Sequence, residues 1–135
     1  MVRGAEDLDV ADLNRDGNLD IVSASSDEGG LHVYLGDGSG INWKRESASL
    51  PSKGWANRVM LRDLNGDDLP DIIANYAEGP RVWLNEGGTG WRSASQGLPA
   101  PLVHGIFIGL DIADINEDGR PDIITANRVD GPETR

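Results

Sequence analysis

The chain has 135 residues, 38 % of them hydrophobic, with 18 glycines, no cysteine and a formal net charge of −11 at pH 7. That size fits one domain. The missing cysteines exclude disulfides and thiolate metal sites, and two histidines are too few for a His-rich zinc site. No apolar run reaches the ~18 residues of a membrane-spanning helix, and the first residues, MVRGAEDLDV, carry no signal-peptide core, so neither membrane insertion nor a signal is expected here.

The excess acid repels nucleic acid and anionic membranes and suits cations, so no nucleic-acid partner is expected. Of the 23 acids, sixteen are Asp. Asp prefers turns and caps to helix surfaces. Abundant Asp and Gly therefore indicate a turn-rich, all-β chain.

Three segments align without gaps: LDVADLNRDGNLDIVSA (8–24), VMLRDLNGDDLPDIIAN (59–75) and LDIADINEDGRPDIITA (110–126). Asp12, Asp63 and Asp114 open the shared pattern at a constant spacing of 51 residues. Downstream, VYLGDGSGINW (33–43) matches VWLNEGGTGW (82–91), and SASLP matches SQGLP. Each unit reads as short Val- and Ile-rich strands broken by Asp- and Gly-rich turns, without helical periodicity. Four strands of ~6 residues with their turns need roughly 50 residues, the period of a four-stranded antiparallel propeller blade. The expected units are residues 1–51, 52–100 and 101–135, the third holding two of four strands. Two and a half blades fall short of the ~4 of a closed propeller, so self-association into a homo-oligomer is expected to cover the open edges.

Each repeat contains the loop D-x-N-x-D-[GD]-x-x-D. Oxygens at positions 1, 3 and 5, a backbone carbonyl at 7 and a side chain at 9 supply six or seven hard ligands, a set that favours Ca²⁺ over Mg²⁺. Glycine at position 6 permits the positive φ of a tight curl. Asp68 takes that place in the second loop, which is expected to strain it by about 1 kcal/mol and make it the weakest site. An ordinary Asx turn is the plain alternative for one such loop, and three copies in phase argue against it. An EF-hand is excluded, because position 12 is Ser23, Ala74 or Thr125 and the flanks read as strands.

These loops, followed by D-I-[VI] and then V-Y-L-G-D-G or V-W-L-N-E-G, resemble the FG-GAP/VCBS repeats that build β-propellers, the integrin α-subunit head among them. The resemblance covers nearly the whole chain. It implies up to three Ca²⁺ per chain, held by Asp12, Asn14, Asp16, the Asn18 carbonyl and Asp20; by Asp63, Asn65, Asp67, the Leu69 carbonyl and Asp71; and by Asp114, Asn116, Asp118, the Arg120 carbonyl and Asp122.

Trp43 and Trp91 follow matching Gly-rich turns and are expected to pack between blades. Trp55, Asn57, Arg58 and His104 lie near the strand ends opposite the acidic loops, where an aromatic beside Asn and Arg would suit a sugar. No nucleophile elbow, P-loop or HExxH motif is present, so a non-catalytic scaffold that binds protein is expected, with a carbohydrate-binding propeller as the alternative. Loops of this charge suit millimolar extracellular calcium, so a secreted or surface-exposed parent protein is expected.

Overall fold

A computed structural model describes residues 4–26, 30–47, 49–87, 90–98 and 106–128. These residues form ten strands and no helix. They are β1 (Ala5–Ala11), β2 (Asp20–Ser25), β3 (Gly30–Gly36), β4 (Trp43–Arg45), β5 (Ala56–Arg62), β6 (Asp71–Tyr76), β7 (Gly79–Asn85), β8 (Trp91–Ser93), β9 (Ile106–Ala113) and β10 (Asp122–Arg128).

They make three antiparallel sheets in sequence order: β1-β2-β3-β4, β5-β6-β7-β8 and the two-stranded β9-β10. Each sheet is a propeller blade, and the third has its first two strands. The first strands are neighbours from blade to blade, β1 against β5 and β5 against β9. An extra residue on the first strand, Glu6, Asn57 or Ile108, bulges the first pair of each sheet at the end away from the acidic loop. A bulge in the same place in each repeat bends the strands alike.

Cross-strand partners share a face, so the registers sort each blade into two sides. In the first blade, Val22 faces Val33 and Ala24 faces Leu31 on the back. In the second, Val59 faces Ala74 and Leu61 faces Ile72 on the front. These two surfaces meet. With Leu13, Leu50, Ala56, Tyr76 and Trp83 they form the core, which lies between blades and not inside either sheet. Each fully buried Leu, Ile or Val there stabilises the pair by about 1.5–3 kcal/mol.

The front of the first blade carries the same residue types without a neighbour. Leu8 and Val10 are 60 % and 47 % exposed, whereas Val59 and Leu61 in the same places are 2 % and 4 % exposed. Trp43 shares this face through its pairing with Gly36 and is 40 % exposed. Trp91 is packed against the core, as expected. The matching expectation for Trp43 is corrected, because no described residue covers the face on which it stands.

The acidic loops as a candidate metal centre

The three acidic loops connect the first and second strands of each blade, at the same end of the molecule's repeats. They share one hydrogen-bond pattern. In the first, the Asp16 N–H donates to both Asp12 Oδ1 (3.2 Å) and Asn14 Oδ1 (3.1 Å), and the Gly17 N–H donates to Asp12 Oδ2 (2.8 Å). In the second, the Asp67 N–H donates to Asp63 Oδ1 (3.3 Å) and Asn65 Oδ1 (3.1 Å), and the Asp68 N–H to Asp63 Oδ2 (2.9 Å). In the third, the Asp118 N–H donates to Asp114 Oδ1 (3.0 Å) and Asn116 Oδ1 (3.1 Å), and the Gly119 N–H to Asp114 Oδ2 (2.7 Å). The oxygens of positions 1 and 3 thus converge on one point in every copy. The N–H of Asn18, Leu69 or Arg120 at position 7 closes the curl by donating to the position-5 carboxylate at 2.8, 2.9 and 2.9 Å.

The curl needs two left-handed residues per loop. Position 4 has φ of 61° at Arg15, 81° at Gly66 and 58° at Glu117; position 6 has φ of 85° at Gly17, 63° at Asp68 and 83° at Gly119. The sequence indicated the second of these and missed the first. Every loop spends one glycine on the pair: the first and third at position 6, the second at position 4. The expected extra strain at Asp68 is therefore offset by relief at Gly66. The reason for ranking the second loop as the weakest site disappears.

Position 9 differs from the others. Asp20 and Asp71 are buried, and although both oxygens accept backbone N–H groups as at position 1, one of the two donors comes from the end of the third strand and not from the loop. Asp20 Oδ2 takes Leu13 (2.8 Å) and Oδ1 takes Gly36 (2.9 Å). Asp71 Oδ2 takes Leu64 (2.8 Å) and Oδ1 takes Asn85 (2.9 Å). Each buried carboxylate ties its loop to the end of the third strand. Asp122 takes only the Ile115 N–H (3.0 Å) among the described residues, where the third blade has two strands.

The electrostatics follow from this packing. Burial pushes the Asp71 carboxyl above the ordinary range; the N–H groups of Asn85 and Leu64 oppose it, and the negative charges of Asp67 and Asp63 add to it. For Asp63, burial also acts upwards, but N–H donors from Asp68, Gly66, Asp67 and Asn65 outweigh it, and this carboxyl lies below the usual range.

In kind, the loops fit a hard cation. They present oxygen donors only, on exposed turns, with second lone pairs still available at positions 1, 3 and 5. Among the described residues, no three His, Asp or Glu side chains come close enough to hold an ion by themselves. A bound cation therefore depends on the asparagines at position 3 and on backbone carbonyls at position 7.

The first two loops are linked across the blade boundary. Arg15 Nη2 donates to the Asp67 carbonyl at 2.6 Å. Asn85 Nδ2 donates to the Leu13 carbonyl (2.8 Å) and to the Pro70 carbonyl (3.2 Å). In the first blade Gly36 holds the corresponding place, and a Cβ there would lie 2.5 Å from the Leu19 carbonyl.

The residues considered for a sugar do not gather. Asn57 Nδ2 donates to the Phe107 carbonyl of β9 (2.7 Å), whereas the Arg58 guanidinium turns to Asp7 of β1 (3.9 Å). Trp55 is exposed beside them. His104 lies outside the described residues. A groove of about 520 Å³ instead adjoins the first acidic loop, lined among others by Asn14, Asn18, Asp37, Asn42 and Trp43.

Sequence reasoning also missed Asp7 and Asp9. Asp7 Oδ2 accepts the Val59 N–H (3.1 Å) and Asp9 Oδ2 the Leu61 N–H (2.9 Å), so carboxylates of β1 cap the free edge of β5. The two Asn of the second blade do the converse. Asn57 and Asn75 donate to the Phe107 and Gly109 carbonyls of β9, Asn75 at 3.2 Å. The 51-residue alignment puts Asp9 and Asp111 in register, and that was the available signal.

The FG-GAP-like repeat, as a family, matches residues 12–74 and again residues 63–125, each match running from one acidic loop through the strand after the next. No curated protein and no solved structure matches the chain. The two overlapping matches span most of the sequence, and the strands between the loops are blades, so the chain belongs to the FG-GAP-like repeat family.

Proposed function

We propose that the chain is a calcium-stabilised, non-catalytic module of propeller blades that serves as a scaffold for protein interaction and assembles with further blades outside the cell. The observation that carries this reading is the threefold recurrence of one oxygen arrangement, with Asp12 and Asn14, Asp63 and Asn65, and Asp114 and Asn116 each converging on a single N–H.

When bound, calcium would supply positive charge to turns that hold three, four and four carboxylates. Asp12, Asn14 and Asp16, with their counterparts, would hold it directly. Asp20 and Asp71 would position those ligands by fixing each loop to its third strand. Three divalent ions would offset roughly half of the −11 net charge. Acids committed to a cation and to backbone N–H groups are poor proton donors at neutral pH, which supports a role without catalysis.

A ligand that binds only the folded state stabilises it by RT ln(1 + [L]/Kd) per site. Thermal unfolding in millimolar calcium and in chelator tests the reading. A higher melting temperature in calcium is expected, with a titration stoichiometry approaching three. An unchanged melting temperature would refute it.

Carbohydrate binding is the second reading, favoured by the exposed Trp43 beside the carboxamides of Asn18 and Asn42 in the groove. An indole face next to amide groups suits a sugar ring. A glycan array with Trp43→Ala as control separates it from the first.

A further inference from the structure

The blade boundary inside the chain shows how one blade receives the next. Asp9 Oδ1 takes the N–H of Val10 at 2.8 Å, which fixes the carboxylate, and Oδ2 then takes the Leu61 N–H at 2.9 Å from β5. Asp111 stands two repeats further on. Its Oδ1 takes the N–H of Ile112 at 2.8 Å in the same way, and its Oδ2 has no hydrogen-bond partner among the described residues. The chain thus carries a second carboxylate already set for the free edge of another first strand.

It also carries the matching receptor. Leu8 and Val10 occupy the places of Val59 and Leu61, and they are exposed where the latter are buried by a back face. Resting on the reading of the chain as an assembling blade module, we propose that a second copy of this chain docks the back of its third blade on the front of the first blade, placing Asp111 Oδ2 on the Val10 N–H.

The internal boundary supports this choice of occupant. Front and back faces of these blades already fit each other within the chain, and the intermolecular contact repeats that fit. It is heterologous, so copies join head to tail and close only if the rotation per copy permits. It is also weaker than its template. Gly109 stands where β1 has Asp7, which removes one edge bond, and the Val10 hydrogen is shared with Asp9 of its own chain. The half-blade β9-β10 covers the inner strands and leaves the Trp43 groove open.

The test uses the whole chain in calcium. Sedimentation over a concentration series should give masses at multiples of 14.5 kDa. Val10→Arg and Asp111→Ala, both at exposed positions, should each weaken association by about tenfold or more while leaving the circular dichroism spectrum unchanged. Because the chain has no cysteine, single-cysteine variants report the geometry directly. A mixture of Asp111→Cys and Val10→Cys chains should form a mixed disulfide on oxidation that neither variant forms alone.

A monomer at every concentration overturns the docking. If that monomer still melts higher in calcium, the calcium reading stands without it. Association that survives both substitutions, or Asp111→Cys chains that link only to each other, overturns the head-to-tail contact while leaving assembly itself intact.

Discussion

The Asn85 carboxamide fastens two blades together: from the end of β7 its Nδ2 donates to the Leu13 carbonyl in the first acidic loop, 2.8 Å away. The contact is buried, and the same nitrogen also reaches the Pro70 carbonyl of its own blade. The turn that curls around Asp12 is thus supported by a residue more than a repeat away.

Asn85→Ala strands the Leu13 carbonyl without this donor. Leaving a buried polar group unpaired costs about 1–3 kcal/mol. A loss of that size is expected in urea unfolding, together with weaker calcium binding at the first loop and a smaller effect at the third. Unchanged stability would show that the latch is not used.

Positions 1 and 9 of the loops carry the same residue and should respond differently to calcium. Asp20→Asn and Asp71→Asn each disturb a buried carboxylate that accepts two N–H groups, and hydrogen bonds to charged groups contribute about 1.5–3 kcal/mol each. Both should lower stability even in chelator. Asp12→Asn and Asp63→Asn should cost little in chelator and should reduce the gain on adding calcium. Chemical unfolding of the four variants with and without calcium separates tie from ligand.

Tyr76 gives the molecule a high-pH limit. Burial pushes its hydroxyl up to about 12, with nearby Arg81 acting downwards and Glu78 upwards. Above pH 10 the unfolded chain releases this proton and the folded chain keeps it, so stability falls as pH rises from about 10 to about 12. The loss is on the order of 2 kcal/mol. Its hydroxyl has no hydrogen-bond partner among the described residues, so Tyr76→Phe should be neutral or stabilising at pH 7 and should flatten that slope. Unfolding free energies of both proteins between pH 8 and 12 decide it.

The second loop depends on its misplaced glycine. With φ of 81° at Gly66 and 63° at Asp68, Gly66→Ala puts side chains on both left-handed positions. The expected cost is about 1 kcal/mol. Asp68→Gly should recover most of it in the double variant, and thermal melts of the single and double variants check this.

The repeat, the strands and the three curls were legible in the sequence because each is set by neighbours a few residues apart. Alternating Val and Ile define strand faces, and Asp-x-Asn-x-Asp closes on its own backbone whatever surrounds it. What depended on residues from another strand or blade was settled only by tertiary structure. Asp20 and Asp71 read as loop ligands in the sequence, and their second attachment, to the end of the third strand, appears only when Gly36 and Asn85 are brought to them. Trp43 and Trp91 follow equivalent turns, yet one is exposed and the other packed, because burial is a property of what stands opposite a face and no local pattern encodes it. Asp9 reads as a surface acid on an alternating strand until β5 presents the Leu61 N–H to it, since a strand's free edge acquires a partner only when blades are stacked.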